Sequence, residues 1–201
     1  MTRTLIKDGT VVTASDTFAA DVWIGGGAIV GLTHASQRAG LGQPDRVIDA
    51  AGQYVMPGGI DAHTHMELPF GGTTASDDFA TGTVAAAHGG TTTILDFAIQ
   101  TKGSSLRAGL DAWHAKAEGN AAIDYGFHMI MTEANADTLE GMAALVREGV
   151  TSFKMFMAYP GVFLVDDQQI FRAMLRAGEL GALITMHAEI GLPIDVLVQR
   201  A

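Results

Sequence analysis

The sequence predicts an α/β protein in which a short all-β segment, residues 1–56, precedes a parallel sheet with crossover helices, residues 57–201. Two observations predict this class. Beyond Pro57, apolar strand-like runs alternate with stretches whose apolar residues recur at helical spacing. Before Pro57, short β-prone runs are separated by glycine-rich turns. Successive strand–helix units are typical of a parallel sheet, because each helix returns the chain to the start of the next strand.

The first segment contains turn signals between short apolar runs. Asp8-Gly9, Gly25-Gly26-Gly27 and Gly52 are predicted turns, the second closing a hairpin and the third separating another strand pair. Residues 40–44 are a predicted loop. The predicted strands are residues 4–6, 10–13, 21–24, 28–32, 46–50 and 54–56. Strands this short and few make only part of a β-sandwich domain.

In the second segment, predicted strands alternate with predicted helices. Its predicted strands are residues 59–63, 91–96, 125–130, 152–156 and 182–187. Its predicted helices are residues 76–88, 106–118, 138–148 and 167–180. Glycine follows each predicted helix, which is its usual place at a helix end. The carboxyl ends of parallel strands meet at one edge of a sheet, so we expect functional side chains there.

Composition narrows the class of protein. Of the 201 residues, 48% are hydrophobic and 17% charged, which indicates a globular chain. The net charge of −10, with no basic run, argues against nucleic acid or an anionic membrane as partner. Without cysteine there is no disulfide, and a bound metal must use nitrogen and oxygen ligands. The amino terminus lacks the apolar core of a signal peptide, so we expect a cytoplasmic protein.

A His-x-His motif lies at the end of the first strand of the second segment. Asp61, His63 and His65 are two apart, so on a strand they share one face. Two imidazoles on one face can bind the same metal ion. Two surface histidines are the alternative, and the apolar run at residues 55–60 argues against it. Asp61 has two open roles, orienting an imidazole or supporting the turn.

Two further strands carry a lysine and a histidine. Lys154 is the only lysine of residues 117–201 and lies within an apolar strand. It either extends along the sheet to reach solvent or is buried with a lowered pKa. In the second case its neutral amine can add carbon dioxide, and the resulting carbamate could bridge two metal ions. His187 ends the fifth strand; alone it would be a core histidine, and in register with the other three it is a candidate ligand.

These motifs, with their flanks, resemble the amino-terminal part of dihydropyrimidinase and D-hydantoinase, cyclic-amide hydrolases of the amidohydrolase superfamily. The resemblance covers essentially all of the chain. The stretches that carry it are Gly58-Gly59-Ile60-Asp61-Ala62-His63-Thr64-His65, Leu68-Pro69-Phe70-Gly71-Gly72-Thr73, Ala75-Ser76-Asp77-Asp78-Phe79, Gly89-Gly90-Thr91-Thr92, Ser152-Phe153-Lys154-Met155-Phe156-Met157-Ala158-Tyr159 and His187-Ala188-Glu189.

The resemblance implies an eight-stranded βα barrel that holds two divalent metal ions, usually zinc. His63 and His65 would bind the first ion, His187 the second, and carboxylated Lys154 would bridge both. Tyr159 would donate to the substrate carbonyl and the oxyanion that develops from it. The pocket for the ring substituent would be lined by Leu68, Phe70, Phe156 and Phe163, beside Tyr159. The substrate would be a small cyclic amide or imide, and the enzyme a homotetramer.

The resemblance also implies that the chain is an amino-terminal fragment, inactive alone, with three barrel strands and the remaining ligands beyond residue 201. Many family members have Asn where this chain has Ile190. Three alternatives stay open. The first is another cyclic amidohydrolase, such as an allantoinase or dihydroorotase. The second is a relative of the non-catalytic collapsin-response mediators, and four intact candidate ligands argue against it. The third is a truncated family member without activity.

Overall fold

The computed structural model describes residues 2–200, which form two compact units, Met1–Gly58 and Gly59–Ala201. The predicted domain boundary lies two residues before this division. The assignment of these two units to a β-sandwich domain and a barrel domain of the whole protein stays a prediction. Within residues 2–200, no helix has both the length and the apolar character needed to cross a membrane.

The first unit is built on one long strand. Its elements are β1 (Arg3–Val12), β2 (Thr17–Gly25), β3 (Ala28–Thr33), a 3-10 helix (Ala35–Leu41), β4 (Arg46–Asp49) and β5 (Tyr54–Val55). The sheet order is β3-β2-β1-β4, and β5 also pairs with β1. The predicted hairpin of β2 and β3 is confirmed. Residues 2–58 form this one sheet, so the predicted sandwich itself stays a prediction.

Two predictions for this unit are wrong. Asp8-Gly9 does not reverse the chain but forms a bulge within β1, where the register with β2 shifts between Ile6 and Gly9. Asp8 has a φ of 60°, and its N–H donates to the buried Asp21 carboxylate at 2.8 Å, so the extra residue is absorbed without a turn. Strands β4 and β5 do not pair with each other. Both lie parallel to β1. The ten residues of β1 are long enough for β4 to pair with residues 4–7 and for β5 to pair with residues 10–11.

The predicted loop at residues 40–44 is only partly correct, because the 3-10 helix Ala35–Leu41 includes its first two residues. A helix of this type needs only i to i+3 hydrogen bonds, so it forms readily in a short connection. Gly42 then ends it, with its N–H donating to the Ala39 carbonyl at 3.3 Å.

The second unit has the predicted alternation. Its elements are β6 (Gly59–Thr64), β7 (Pro69–Phe70), β8 (Thr73–Thr74), α1 (Phe79–His88), β9 (Thr91–Ile99), α2 (Leu106–Ala117), β10 (Asp124–Ile130), α3 (Ala136–Arg147), β11 (Ser152–Phe156), α4 (Asp167–Leu180), β12 (Leu183–His187) and α5 (Gly191–Val198). The five predicted strands form one parallel sheet in chain order, β6-β9-β10-β11-β12. The small β7–β8 hairpin was not predicted.

Side-chain caps fix where four helices begin. Asp78, Ser105, Asn135 and Asp166 each accept a hydrogen bond from the backbone N–H three residues later. Helix α1 therefore begins three residues after the predicted start at residue 76. At the other end of α4, Gly181 takes the left-handed conformation, with a φ of 67°, and closes the helix.

The two faces of the parallel sheet differ in composition. The helix-covered face carries the main core, in which Met129, Phe153 and Met155 pack with helix residues such as Leu110. The opposite face carries a small cluster of Phe97, Ile130 and Phe163. Because side chains alternate along a strand, burial of Phe153 and Met155 on the helix side turns Lys154 and Phe156 to the opposite face. The candidate ligands also lie on this second face, where they pack against Phe97 or Phe156; they are His63, His65, Lys154 and His187.

Candidate active site

The first group of candidate residues lies at the end of β6 and surrounds Phe97, a buried residue of β9. The His63 and His65 rings lie 5.1 Å apart between centroids. The Phe97 ring lies 4.6 Å from His63 and 4.9 Å from His65. His128 packs on the same phenylalanine at 4.7 Å. Phe97 thus forms an apolar floor beneath both histidines of the motif.

His65 is the more enclosed of the pair. Its Nδ1 is buried and has no hydrogen-bond partner among residues 2–200. Burial lowers the pKa of His65, and the charges of His63 and Lys154 lower it further, while Asp96 acts in the opposite direction. The imidazole is therefore neutral at physiological pH, which is the form that binds metal ions.

Lys154 lies between the first group and a second one. Its Nζ is 5.9 Å from the centroid of Phe97 and 5.4 Å from that of Phe156. It forms no ion pair with any described residue, in contrast to Lys7 and Lys116. Burial lowers the pKa of Lys154, because nothing nearby compensates the lost hydration of the ammonium. This is the environment in which a lysine becomes a nucleophilic amine.

The second group is centred on His187. The sheet register pairs Phe156 with His187, and their rings stack at 5.4 Å. Tyr159 lies 5.3 Å from the same imidazole. Nε2 of His187 is buried and lies 2.9 Å from Oε2 of Glu189, but without the geometry of a hydrogen bond. Because the Glu189 side chain is 48% exposed, its carboxylate is hydrated and does not enclose this nitrogen.

A cavity of about 270 Å³ joins the two groups. Its lining residues are His65, Leu68, Phe70, Ile130, Phe156, Tyr159, Phe163 and His187. All five residues predicted for the substituent pocket are therefore brought together beside two predicted metal ligands. Their role in substrate binding stays a prediction.

Tyr159 reaches this cavity through an unusual backbone conformation. Its φ is 63°, a conformation that costs free energy for a residue other than glycine. The carbonyl of Tyr159 accepts hydrogen bonds from the amides of Val162, Phe163 and Leu164 at 3.0–3.2 Å, which hold the turn. The ring lies 5.2 Å from Phe70. Among residues 2–200 the phenol oxygen has no hydrogen-bond partner, so it is free to donate to a ligand.

The residues present fit a metal ion, although the described part of the chain contains no group of three His, Asp or Glu side chains arranged to hold one. The fit rests on His65 Nδ1 and His187 Nε2, two buried ring nitrogens without partners. Buried polar atoms normally have partners, so unpaired ones at a cavity indicate a missing ligand. Lys154 supplies a third donor only as a carboxylate, that is, after modification.

Sequence reasoning missed three residues of this region. Phe97 and Ile130 looked like ordinary strand residues, and only the sheet shows that they face the cavity. Asp96 was missed because its role depends on contacts with β6 and α2. Of the two roles left open for Asp61, the structure favours the structural one, although at an irregularity within β6 rather than in a turn. Its Oδ1 accepts from the backbone N–H of His63 at 3.1 Å rather than from an imidazole.

Comparison with known proteins defines the class. The family model described as "Amidohydrolase family" matches residues 54–201. The chain belongs to this family. A dihydropyrimidinase from Brevibacillus agri superposes with a TM-score of 0.93 at 50% identity, over 99% of this chain and 42% of that one. The predicted TIM-type barrel fold is thereby confirmed, with β6 and β9 to β12 as part of the barrel.

Within that family, two curated relatives match nearly the whole length of this chain. It is 64% identical over 200 residues to a D-hydantoinase of Streptomyces coelicolor, covering 99% of this chain and 43% of the relative. It is 43% identical over 201 residues to a dihydropyrimidinase of Rattus norvegicus, covering 99% of this chain and 38% of the relative. The chain thus spans about two fifths of the length of the relatives it matches.

Proposed function

We propose that the protein containing these residues is a metal-dependent hydrolase that opens cyclic amides, dihydropyrimidines and hydantoins. The observation that carries this proposal is the position of Lys154. Its Nζ lies over Phe97, which floors the His63–His65 pair, and over Phe156, which stacks on His187. A carboxylate on this nitrogen would extend between the two histidine groups. The 64% identical D-hydantoinase supports the reaction class.

The proposed ligand set has two halves. His63 and His65 would hold one divalent ion, His187 would hold a second, and carboxylated Lys154 would supply a donor to both. The neutral Lys154 amine would attack the carbon of carbon dioxide. An N–C bond forms, one C=O π bond opens to place negative charge on oxygen, and the nitrogen loses a proton to solvent. Zinc suits the nitrogen and oxygen donors of this set. When bound, such a pair supplies Lewis acidity, which lowers the pKa of water and polarises a carbonyl.

The chain's own residues then bind and orient the substrate. The Tyr159 phenol donates a hydrogen bond to the carbonyl oxygen as negative charge develops on it. The apolar side chains of Leu68, Phe70, Phe156 and Phe163 hold the ring substituent and exclude water from the reacting amide. The described lining of the cavity is largely apolar and aromatic. Such a lining suits the apolar ring substituents of dihydropyrimidines and hydantoins.

The proposal is tested by measuring ring opening and metal content of the purified enzyme together. We expect about two divalent ions per subunit and hydrolysis of dihydrouracil and of hydantoins with apolar substituents. His65→Asn should lose metal and activity. The matched change His114→Asn, at a ring packed on Phe127 of the helix-covered side, should retain both.

Other outcomes would contradict the proposal in recognisable ways. Turnover of allantoin or dihydroorotate alone would assign the enzyme to another cyclic amidohydrolase. Absence of both metal and turnover would indicate a non-catalytic member. A homotetramer is part of the proposal, and mass photometry of the same preparation would test it.

A further inference from the structure

A buried carboxylate lies behind the His-x-His motif. Asp96 of β9 is 1% exposed and accepts four hydrogen bonds. Oδ2 accepts from Met66 N–H at 2.6 Å and from the Thr64 hydroxyl at 3.1 Å. Oδ1 accepts from Phe97 N–H at 2.7 Å and from Trp113 Nε1–H at 3.1 Å. Since a buried carboxylate is costly unless donors surround it, this arrangement requires all four partners to be in place.

Two of these donors flank a candidate metal ligand. Thr64 precedes His65 and Met66 follows it, and both are bound by the same oxygen, Oδ2. The Thr64 hydroxyl binds Asp96 and the Met66 side chain lies in the helix-side core, whereas the His65 ring packs on Phe97 of the opposite face. The Thr64 hydroxyl shares its proton with the Leu95 carbonyl at 3.3 Å. The Asp96 carboxylate thus holds the His65 backbone from behind, without contact to the imidazole.

Helix α2 anchors the other side of this arrangement. Trp113 donates to Oδ1 of Asp96 from the helix. One turn later, Lys116 Nζ lies 4.1 Å from the Trp113 ring centroid and 3.5 Å from Oε2 of Glu67. The segment that follows His65 is therefore fastened to a packed helix at two points. Fastening to a regular element gives more precise positioning than a free loop does.

The His65 imidazole has no such anchor of its own. A metal-binding histidine usually donates its second ring N–H to a carboxylate or carbonyl, which sets its orientation. Neither ring nitrogen of His65 has such a partner among residues 2–200. Nδ1 is the buried nitrogen that fits the metal ion, and Nε2 donates to no carboxylate or carbonyl. By contrast, Asp61 bonds the backbone N–H of His63. The orientation of the His65 ring therefore depends on the conformation of its backbone.

We propose that Asp96 is a positioning residue for His65, which acts by fixing the backbone on both sides of this ligand against β9 and α2. The inference rests on the proposed function, because it concerns the aim of His65 toward a bound metal ion. Removal of a partner that hydrogen-bonds the ring of a ligand typically reduces metal affinity by about 10–100-fold. We expect the lower end of that range for Asp96, which acts through the backbone. The expected defect is therefore in metal binding, separate from any loss of stability.

The test measures zinc affinity of the enzyme after metal removal, by competition with a chromophoric chelator. Asp96→Asn replaces one accepting oxygen with an amide, and Thr64→Val removes one donor beside His65 with little change in shape. Trp113→Phe removes a donor to Oδ1, away from His65. Thr83→Val is the control for loss of a buried hydroxyl, since Thr83 is 0% exposed and accepts from Ala122 N–H at 2.9 Å.

We expect Asp96→Asn and Thr64→Val to weaken zinc binding by about 10-fold. They should also alter the visible spectrum of the cobalt-substituted enzyme. Thr83→Val should melt earlier than wild type yet bind zinc with wild-type affinity. Trp113→Phe, which loses only the anchor on α2, should weaken zinc binding less than Thr64→Val does. If Asp96→Asn does not fold, the zinc affinity of Thr64→Val tests the inference.

Two results would overturn the inference alone, in an enzyme that binds zinc and opens cyclic amides. One is wild-type zinc affinity and a wild-type cobalt spectrum in folded Thr64→Val. The other is an equal loss of zinc affinity in Thr64→Val and Thr83→Val, which would show a general effect of stability. A wild-type enzyme that binds no zinc would instead overturn the proposed function, and this inference with it.

Discussion

Phe156 and His187 are direct neighbours on the parallel strands β11 and β12, with their rings stacked at 5.4 Å. The same register pairs Lys154 with Thr185, one two-residue step earlier. Lys154 and Phe156 share a face of β11, and His187 is paired with Phe156, so Lys154 and His187 lie on the same side of the sheet. Strand register therefore sets the spacing of the two proposed ligands, independently of the loops that follow.

The first prediction concerns Lys154. Lys154→Ala removes the proposed bridge, so the bound metal should fall well below two ions per subunit, as measured by inductively coupled plasma mass spectrometry. Hydantoin hydrolysis should fall with it. Acetate or propionate should partly restore both, because a short carboxylic acid can occupy the space that the side chain leaves.

Lys102→Ala is the matched control, since Lys102 is exposed in the loop before α2. It should retain metal and activity. Two tightly held ions and full hydantoin hydrolysis in Lys154→Ala would show that the bridging assignment is wrong.

The second prediction separates catalysis from stability at Tyr159. Tyr159→Phe retains the ring that packs on Phe70 and His187 and removes only the phenol oxygen. Loss of one oxyanion donor typically lowers kcat by roughly 10²–10³-fold. The melting temperature should stay the same, because the hydroxyl has no hydrogen-bond partner among the described residues. Steady-state kinetics on dihydrouracil and calorimetry measure the two effects.

Tyr125→Phe serves as the control, because Tyr125 packs on Phe127 and Phe79 in the helix-covered core. It should leave kcat unchanged. If Tyr159→Phe turned over dihydrouracil at the wild-type rate, the proposed donor role would be excluded.

The third prediction compares two helix glycines. A Cβ at Gly109 of α2 would lie 2.6 Å from the Ile99 carbonyl oxygen and 2.7 Å from Met129 Cε, so the helix would have to shift from the sheet. Gly109→Ala should destabilise the fold by about 1–3 kcal/mol. At Gly141 of α3 the nearest atom is a side-chain carbon of Leu106 at 3.8 Å, an ordinary contact. Gly141→Ala should stabilise by about 0.5–1 kcal/mol, because alanine favours helix.

Urea denaturation of the two variants and the wild type measures this difference. The midpoints should move in opposite directions. A shift of the same sign and size in both variants would mean that helix propensity, rather than close approach of α2 to β9, controls Gly109.

The fourth prediction concerns acid stability of the first unit. The Arg38 guanidinium, with Nε 2.6 Å from Oδ2 of Asp21, lowers the pKa of that buried carboxyl below its ordinary value of 3.8. A lowered pKa in the folded state gives stability that is fully present above pH 3.8 and is lost as pH falls through the folded pKa. Asp21→Asn should therefore melt earlier than wild type at pH 7, and the gap should close below pH 3.8.

Calorimetry between pH 7 and pH 3 measures the gap. In an Arg38→Gln background, Asp21→Asn should show little dependence on pH, because the main cause of the pKa shift is absent. A gap that stays constant down to pH 3 in the wild-type background would contradict the assignment.

Residue patterns predicted the second unit closely and the first less well. The five strands of the parallel sheet, β6 and β9 to β12, are apolar runs between helices with recognisable caps, and such signals can be read from local sequence. In the first unit the sequence predicted a turn at Asp8-Gly9, where the strand continues, and a pairing of β4 with β5 that does not form. Asp8-Gly9 resembles a hairpin turn, and only the neighbouring Asp21 carboxylate makes it a bulge. Strand pairing of this kind depends on contacts that are distant in the chain.

From the sequence alone, strand periodicity and the family resemblance predicted the residues proposed as ligands, His63, His65, Lys154 and His187. The sequence also determined the family of the chain. Tertiary structure decided what surrounds these residues. Phe97 as their floor, and Asp96 as the carboxylate behind His65, follow from the alignment of β9 with β6 and α2. No local pattern encodes such an alignment, because it is set by the packing of segments tens of residues apart.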